Sequence, residues 1–574
     1  MTTSRVLIAI VLTACGMGFL WAKENARREA DAFGIQQVQY INDQIATAWA
    51  DAGLQPSPIA TDSEWCRRVH LDLIGRIPTV DELDAYLTDK LPTKRQDLVG
   101  KLLGDDYVDE YARHWTDVWT TLLIGRDVSN ERVNRPGMRQ YLRRAFSKNI
   151  PYDQFMEQLV TATGINTNRE GVDGFNGATN FLSGKMEEMG VENGVQATAK
   201  TAQIFLGVQV QCTQCHDHKF NTHKQSQFWE LNAFFRQART LRRRGGTDAV
   251  QWVELIDQDF AGEAGNPEEA ELYYERPNGL MKVAYPVFVD GTAISKSGFL
   301  PATMKDGTPY GTNRRHELAR LIKASSFFPK AMVNRMWGYF LGYGFTKPVD
   351  DFGEHNPPSH PDLLDGLAGY FSAAGYDMKE LLRWIVLSEP YSLSSIRKQR
   401  ATAKPNDPSL DDPSVGMRPM FTHFYIRQMK AEQLYESLLN ATQADRTGPV
   451  EDASGKKDEW LSQFVIAFGT DEGDDATTFN GSIPQSLMMF NGELMKRATS
   501  TGEGGFLDQV LKSHGKVQQK IQVLYKAALS REPKPNEVRN ALDLMDFSTE
   551  EDVNNGLSNL WWAILNSNEF IMNH

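Results

Sequence analysis

A mainly α, multi-domain protein is what this sequence predicts, and three observations predict it. The chain has 574 residues, whereas single hydrophobic cores stop growing near roughly 250–300. Apolar residues recur at helical spacing through both halves. Alternating stretches are confined to one short segment between them. Hydrophobic residues make up 41% and charged residues 24%, an ordinary globular balance.

The N-terminus reads as an address. Arg5 supplies a positive charge, Val6 to Ala14 is an unbroken apolar stretch, and Lys23 ends the apolar character abruptly. Leu12-Thr13-Ala14-Cys15-Gly16 has the form of a lipoprotein signal, with Cys15 the residue that would be lipidated. The run Val6 to Ala22 is 17 residues, the short limit for a spanning helix. Residues 1–22 are therefore read as a signal peptide, a lipoprotein signal or a membrane anchor. Each of these places the rest of the chain outside the cytoplasm, in the periplasm, with the membrane involved only through the N-terminus.

Residues 38–239 read as a helical domain. Pro78 precedes Thr79-Val80-Asp81-Glu82, where Thr79 can cap a helix by accepting from the Glu82 amide. Leu98, Leu102 and Leu103 continue the helical spacing into Tyr111, Trp115 and Trp119, and Pro151 opens a helix with Phe155 and Leu159 inward. Residues 164–195, rich in Gly, Asn and Glu, read as a surface connection, and Val195 to Val210 as a helix leading into Cys212. A small β-rich insert is expected over 240–310, from Val250-Gln251-Trp252-Val253-Glu254-Leu255 and the Pro277-Asn278-Gly279 turn. Helical spacing resumes over 311–574, in Leu318, Leu321, Ile322, Met332, Met336, Trp337, Leu363, Leu367, Leu381 and Ile385.

Four cysteines, Cys15, Cys66, Cys212 and Cys215, make no disulfide framework. Two of them form Cys212-Thr213-Gln214-Cys215-His216. From 4 Cys and 11 His, C-x-x-C-H is expected by chance about 0.0005 times per chain. This spacing lets two thiols add to the vinyl groups of a porphyrin while the next histidine ligates its iron. Covalent haem c held by Cys212, Cys215 and His216 is the expectation, and export agrees with it. Phe205, Leu206, Phe220, Phe228, Trp229, Phe234 and Phe235 could wall the ring, or Phe228, Leu231, Phe234 and Phe235 could be the core face of a helix. His223, His218 and His114, with Met186 and Met189, are the candidates for a distal ligand. The pattern Cys-x-x-Cys-His-x-His also admits zinc or another metal held by thiolates and imidazoles, or a redox-active Cys212–Cys215 pair without a cofactor.

Further stretches resemble a known family. Arg67-Arg68-Val69-His70-Leu71-Asp72-Leu73-Ile74-Gly75-Arg76-Ile77-Pro78-Thr79, Ala112-Arg113-His114-Trp115-Thr116-Asp117 and the segment Phe205 to Phe220 carry the first part. Val333-Asn334-Arg335-Met336-Trp337, Asp351-Phe352-Gly353, Pro357-Pro358-Ser359-His360-Pro361-Asp362 and Asn566-Ser567-Asn568-Glu569-Phe570 carry the second. The chain resembles the two-domain proteins of planctomycetes, in which a cytochrome-c-like (PSCyt-type) domain precedes a PSD-type C-terminal domain of unknown function. The resemblance implies an exported haem protein without naming a reaction.

A net charge of −13 argues against nucleic acid as a partner, since phosphate binding needs a basic face. Asp350, Asp351, Glu354, His355 and His360 gather in a Pro-rich loop of the kind that carries metal or acid–base chemistry, or caps and turns. Arg242-Arg243-Arg244 could meet haem propionates or an anionic glycan, or stand exposed beside a turn. Three functions follow as expectations: electron transfer through His216-ligated haem with a redox partner protein, a haem oxidase- or peroxidase-like enzyme with a small-molecule substrate, or a non-redox surface binding or scaffold protein with a structural metal at the Cys/His cluster. Whether the protein is an enzyme stays open.

Overall fold

Helix-forming sequence dominates the computed structural model, which describes residues 32–126, 129–171, 173–186, 193–219, 221–244, 250–257, 272–294, 313–397, 411–446, 453–469, 483–502 and 504–574. The N-terminal address, Cys15 included, lies outside the described residues, as do Met189 and Phe220. Among the described residues no helix is long and apolar enough to cross a membrane.

The mainly α expectation holds. Helices Gln36–Ala52, Asp62–Ile74, Val108–Ile124, Arg135–Ser147 and Tyr152–Val160 build the first part, and Arg314–Ala324, Phe327–Leu341, Pro361–Ala373 and Met378–Val386 pack onto it. Thr79 caps Val80–Thr88 through the Glu82 amide as expected, and the Glu82 side chain completes a capping box, with Thr79 N donating to Glu82 Oε2 at 2.7 Å. Pro361 stands in the first turn of Pro361–Ala373 beside Asp362, where fixed φ and a carboxylate both suit a helix start.

The sheets are small. Ala238–Arg244 pairs antiparallel with Val250–Asp257, which also takes Gly164–Ile165 on its other edge. Leu272–Glu275 pairs with Met281–Ala284 around the Asn278-Gly279 turn. Arg243 meets Glu254 across the first ladder at 3.1 Å.

Within 164–195, the described stretch 177–183 is buried rather than a surface connection. Asn180, fully buried, donates to the carbonyls of Asn166 (2.9 Å) and Gly177 (3.0 Å) and accepts from Asn134 N (2.6 Å). Polar composition misleads there because the side chains replace backbone partners inside the fold.

Two hydrophobic cores result. One draws on residues from Ala32 to Tyr425, and the other on Met429 to Ile571 together with Leu71 and Ile77. Packing therefore divides the chain near Arg427, and Asp62–Ile74 serves both sides. Its Trp65, Val69 and Leu73 enter the first core and Leu71 the second. Arg67, fully buried, donates to the carbonyls of Ala528 (2.7 Å) and Phe570 (2.8 Å). Asp72 accepts from Arg427 (2.6 Å), Asn573 (2.8 Å) and Tyr391 (2.8 Å).

Candidate functional site

The Cys-x-x-Cys stretch sits on a short stem. Helix Val195–Thr201 continues as a wider-wound turn, Ala202–Leu206, and stops at Gly207, whose φ of 65° is left-handed. A Cβ on Gly207 would lie 2.6 Å from the Phe352 ring, and Phe352 N donates to Gly207 O at 2.7 Å. Only glycine allows both the turn and the close approach. The stem is thereby fixed to the Pro-rich loop of the second half.

A single 3-10 turn, Gln211–Gln214, follows. Thr213 is buried and donates through Oγ1 to Val210 O at 2.6 Å. Gln214 O accepts from Trp229 Nε1 (3.1 Å) and Gln225 Nε2 (3.2 Å), and Gln225 Nε2 also donates to Glu275 O (3.0 Å) in the insert. Asp217 Oδ1 accepts from Gln225 N at 2.9 Å, so a carboxylate meets the first turn of helix Gln225–Asn232. That backbone hydrogen bond, with Lys224 nearby, holds the Asp217 carboxyl below its ordinary value. The backbone is pinned while Cys212 and Cys215 stay exposed as free thiols.

The loop after the motif meets the second half. His218 N donates to His223 O at 2.9 Å, closing the loop, and the His218 and His355 rings lie 5.6 Å apart. His355 Nε2 contacts Asp351 Oδ2 at 2.9 Å. Gly353 leaves room here, since a Cβ would come within 2.6 Å of both Asn221 and His355. His223 is half-buried, and burial followed by the neighbouring His218 pushes its pKa down. The structure thus gathers His218, His223, Asp351 and His355 at one seam, beside the cysteine loop.

The other candidates go elsewhere. Asp350 is buried and accepts from Gln203 (2.8 Å) and Gln209 (3.1 Å), which makes it a tie between stem and loop. His360 is buried against Phe345 and Phe421, and burial pushes its pKa down to about 4. Glu354 points to solvent. His114 is buried in the helix Val108–Ile124, with Nε2 2.8 Å from the Tyr339 hydroxyl, and takes no part in the cysteine loop's contacts. Met186 is in the core. Cys66 is a buried thiol, 3.7 Å from His70 Nδ1, and burial pushes it up.

The cofactor expectation is corrected by this arrangement. Among the described residues no three or more His, Cys, Asp or Glu side chains are placed to hold a metal ion. The aromatic residues expected to wall a porphyrin, Phe205, Phe228, Trp229, Phe234 and Phe235, are all in the core, packed by protein. His216 is exposed, and its Nδ1 donates to Asp217 O at 2.7 Å. Neither haem c on Cys212, Cys215 and His216 nor zinc on the Cys/His cluster fits these residues as they stand. With them go the distal roles of His223, His218 and His114.

Sequence reasoning missed Arg67, Arg68 and Asp72 as a buried polar hub. Two adjacent arginines beside buried apolar positions were the available signal, because a buried charge must be hydrogen-bonded. A search of the curated proteins gives no match, and neither does a search of the solved structures. Two family descriptions do match, each a protein of unknown function: PSCyt2 (DUF1549) over residues 40–240 and PSD1 (DUF1553) over residues 314–463. The seam of His218 and His355 therefore joins two family domains, and the chain carries a DUF1549 domain followed by a DUF1553 domain.

Proposed function

We propose that this chain is an extracytoplasmic thiol–disulfide redox protein acting through Cys212 and Cys215. The observation that carries this reading is the pinned, exposed turn that presents both thiols to solvent, Cys212 on the short 211–214 helix and Cys215 directly after it. It keeps the redox character and the exported location expected from the sequence, and it needs no prosthetic group.

The chemistry balances with a partner disulfide as oxidant. One cysteine thiolate attacks a partner sulfur, forming a mixed disulfide and releasing one partner thiolate. The second cysteine then attacks the mixed disulfide, releasing the other partner thiol and leaving Cys212–Cys215 oxidised. Two electrons pass to the partner, and the two protons lost from the cysteines end on its thiols. The reverse sequence oxidises a partner dithiol.

Single variants separate the two attacks. With a disulfide-bonded peptide as probe, Cys212→Ser or Cys215→Ser should accumulate a mixed disulfide on a non-reducing gel. The double variant should accumulate none. Failure of both single variants to trap the peptide, with Cys66 left unmodified, contradicts the proposal.

A further inference from the structure

An open groove of about 610 Å³ lies far along the chain from the cysteine turn, lined by Tyr141, Arg144, Lys148, Gln158, Thr163 and His316 among others. Arg144 stands in the last turn of helix Arg135–Ser147, Lys148 caps its C-terminal end, and His316 belongs to the first turn of Arg314–Ala324. The DUF1549 and DUF1553 domains therefore both contribute.

Charge sets this groove apart. On the same helix, Arg139 pairs with Asp117 and Arg143 with Asp109. Among the described residues no carboxylate lines the groove, and Arg144 and Lys148 have no ion-pair partner. A chain of net charge −13 has carboxylates in excess to neutralise a basic groove, yet none is placed here. The helix dipole favours cations at this helix end, but it does not account for His316 arriving from a separate element.

The wall is rich in donors. Gln158 Oε1 accepts from the Tyr141 hydroxyl at 3.2 Å, which turns the amide's N–H groups toward other partners. Arg144, Lys148 and the Thr163 hydroxyl add donors that suit an oxyanion. The volume falls in the range of roughly 300–1,000 Å³ typical of organic-ligand sites and exceeds what one inorganic anion fills. We infer that this groove binds a sugar-sized organic anion carrying a carboxylate or a sulfate.

The test is calorimetric titration of the full chain with glucuronate, glucose sulfate, inorganic sulfate and neutral glucose. At least one anionic sugar should bind, more weakly as salt rises. In the Arg144→Gln/Lys148→Gln variant, with an unchanged melting temperature, affinity should fall about tenfold, as the loss of two exposed charge contacts implies. Glucuronate against glucose sulfate distinguishes the two anionic groups. The inference is overturned if neither anionic sugar binds, if glucose or inorganic sulfate binds as tightly, or if the variant binds unchanged. Should the variant melt early, Gln158→Ala, which removes donors and no charge, serves in its place and should also weaken the anionic sugar.

Discussion

Single residues carry more of this structure than their chemistry advertises. Gly207 must be left-handed and must admit Phe352, so Gly207→Val adds backbone strain and a clash with an aromatic ring. A loss of about 2–4 kcal/mol is expected from the two effects together, read by urea unfolding. Arg67 shows the other kind of dependence. Arg67→Met would leave the buried carbonyls of Ala528 and Phe570 without their donor, at about 1–3 kcal/mol for each carbonyl. A variant as stable as the parent would show that water or a neighbour replaces the guanidinium. The motif containing Arg67 and Arg68 is visible in the sequence but its role is not, because the carbonyls the two guanidinium groups serve lie more than 320 residues away.

At the scale of elements, much was legible. The Thr79 cap, the Pro151 helix start and the Asn278-Gly279 turn all depend on neighbours in sequence, which is why spacing reveals them. The loop after Phe327–Leu341 depends on a distant tie instead. Asn334 accepts from Phe345 N (2.6 Å) and donates to Thr346 Oγ1 (2.8 Å) and Val349 O (2.8 Å). Asn334→Ala removes all three, so a loss of roughly 2–4 kcal/mol is expected from three net hydrogen bonds. Amide exchange should quicken over 345–356, and unchanged exchange there would mean the loop holds itself. The cofactor expectation went astray at this same scale. Five residues specify a pattern, but whether aromatic neighbours face a ligand or a core is decided by helices elsewhere, and here they face the core.

For the whole molecule, burial of neutral histidine sets the response to pH. Burial pushes His114 down to about 3, and His70, His360, His423 and His574 to about 4. In the unfolded chain these groups titrate near 6.5, so between about 6.5 and 4 the unfolded state binds more protons. Stability is then complete above about pH 6.5 and falls as pH drops toward the folded values. Melting temperature should decline steeply across that window, and His114→Gln should flatten the slope. A flat profile from neutral pH to pH 4 would contradict neutral burial. The two cores dividing near Arg427 also belong to this scale, and no periodicity in the sequence marks that division, since Asp62–Ile74 feeds both.

The thiol–disulfide reading rests on Cys212 and Cys215 exchanging two electrons as a pair. The 574-residue chain, equilibrated across a series of glutathione potentials, alkylated and mapped by mass spectrometry, tests this most directly. One two-electron transition is expected between a Cys212–Cys215 disulfide and a doubly alkylated pair, with a midpoint above about −300 mV, where labile rather than structural disulfides lie. Cys66 should stay unalkylated until the protein is denatured. A pair that keeps one state across the series, or a peptide whose two sulfurs both carry a covalent adduct from export, would contradict it.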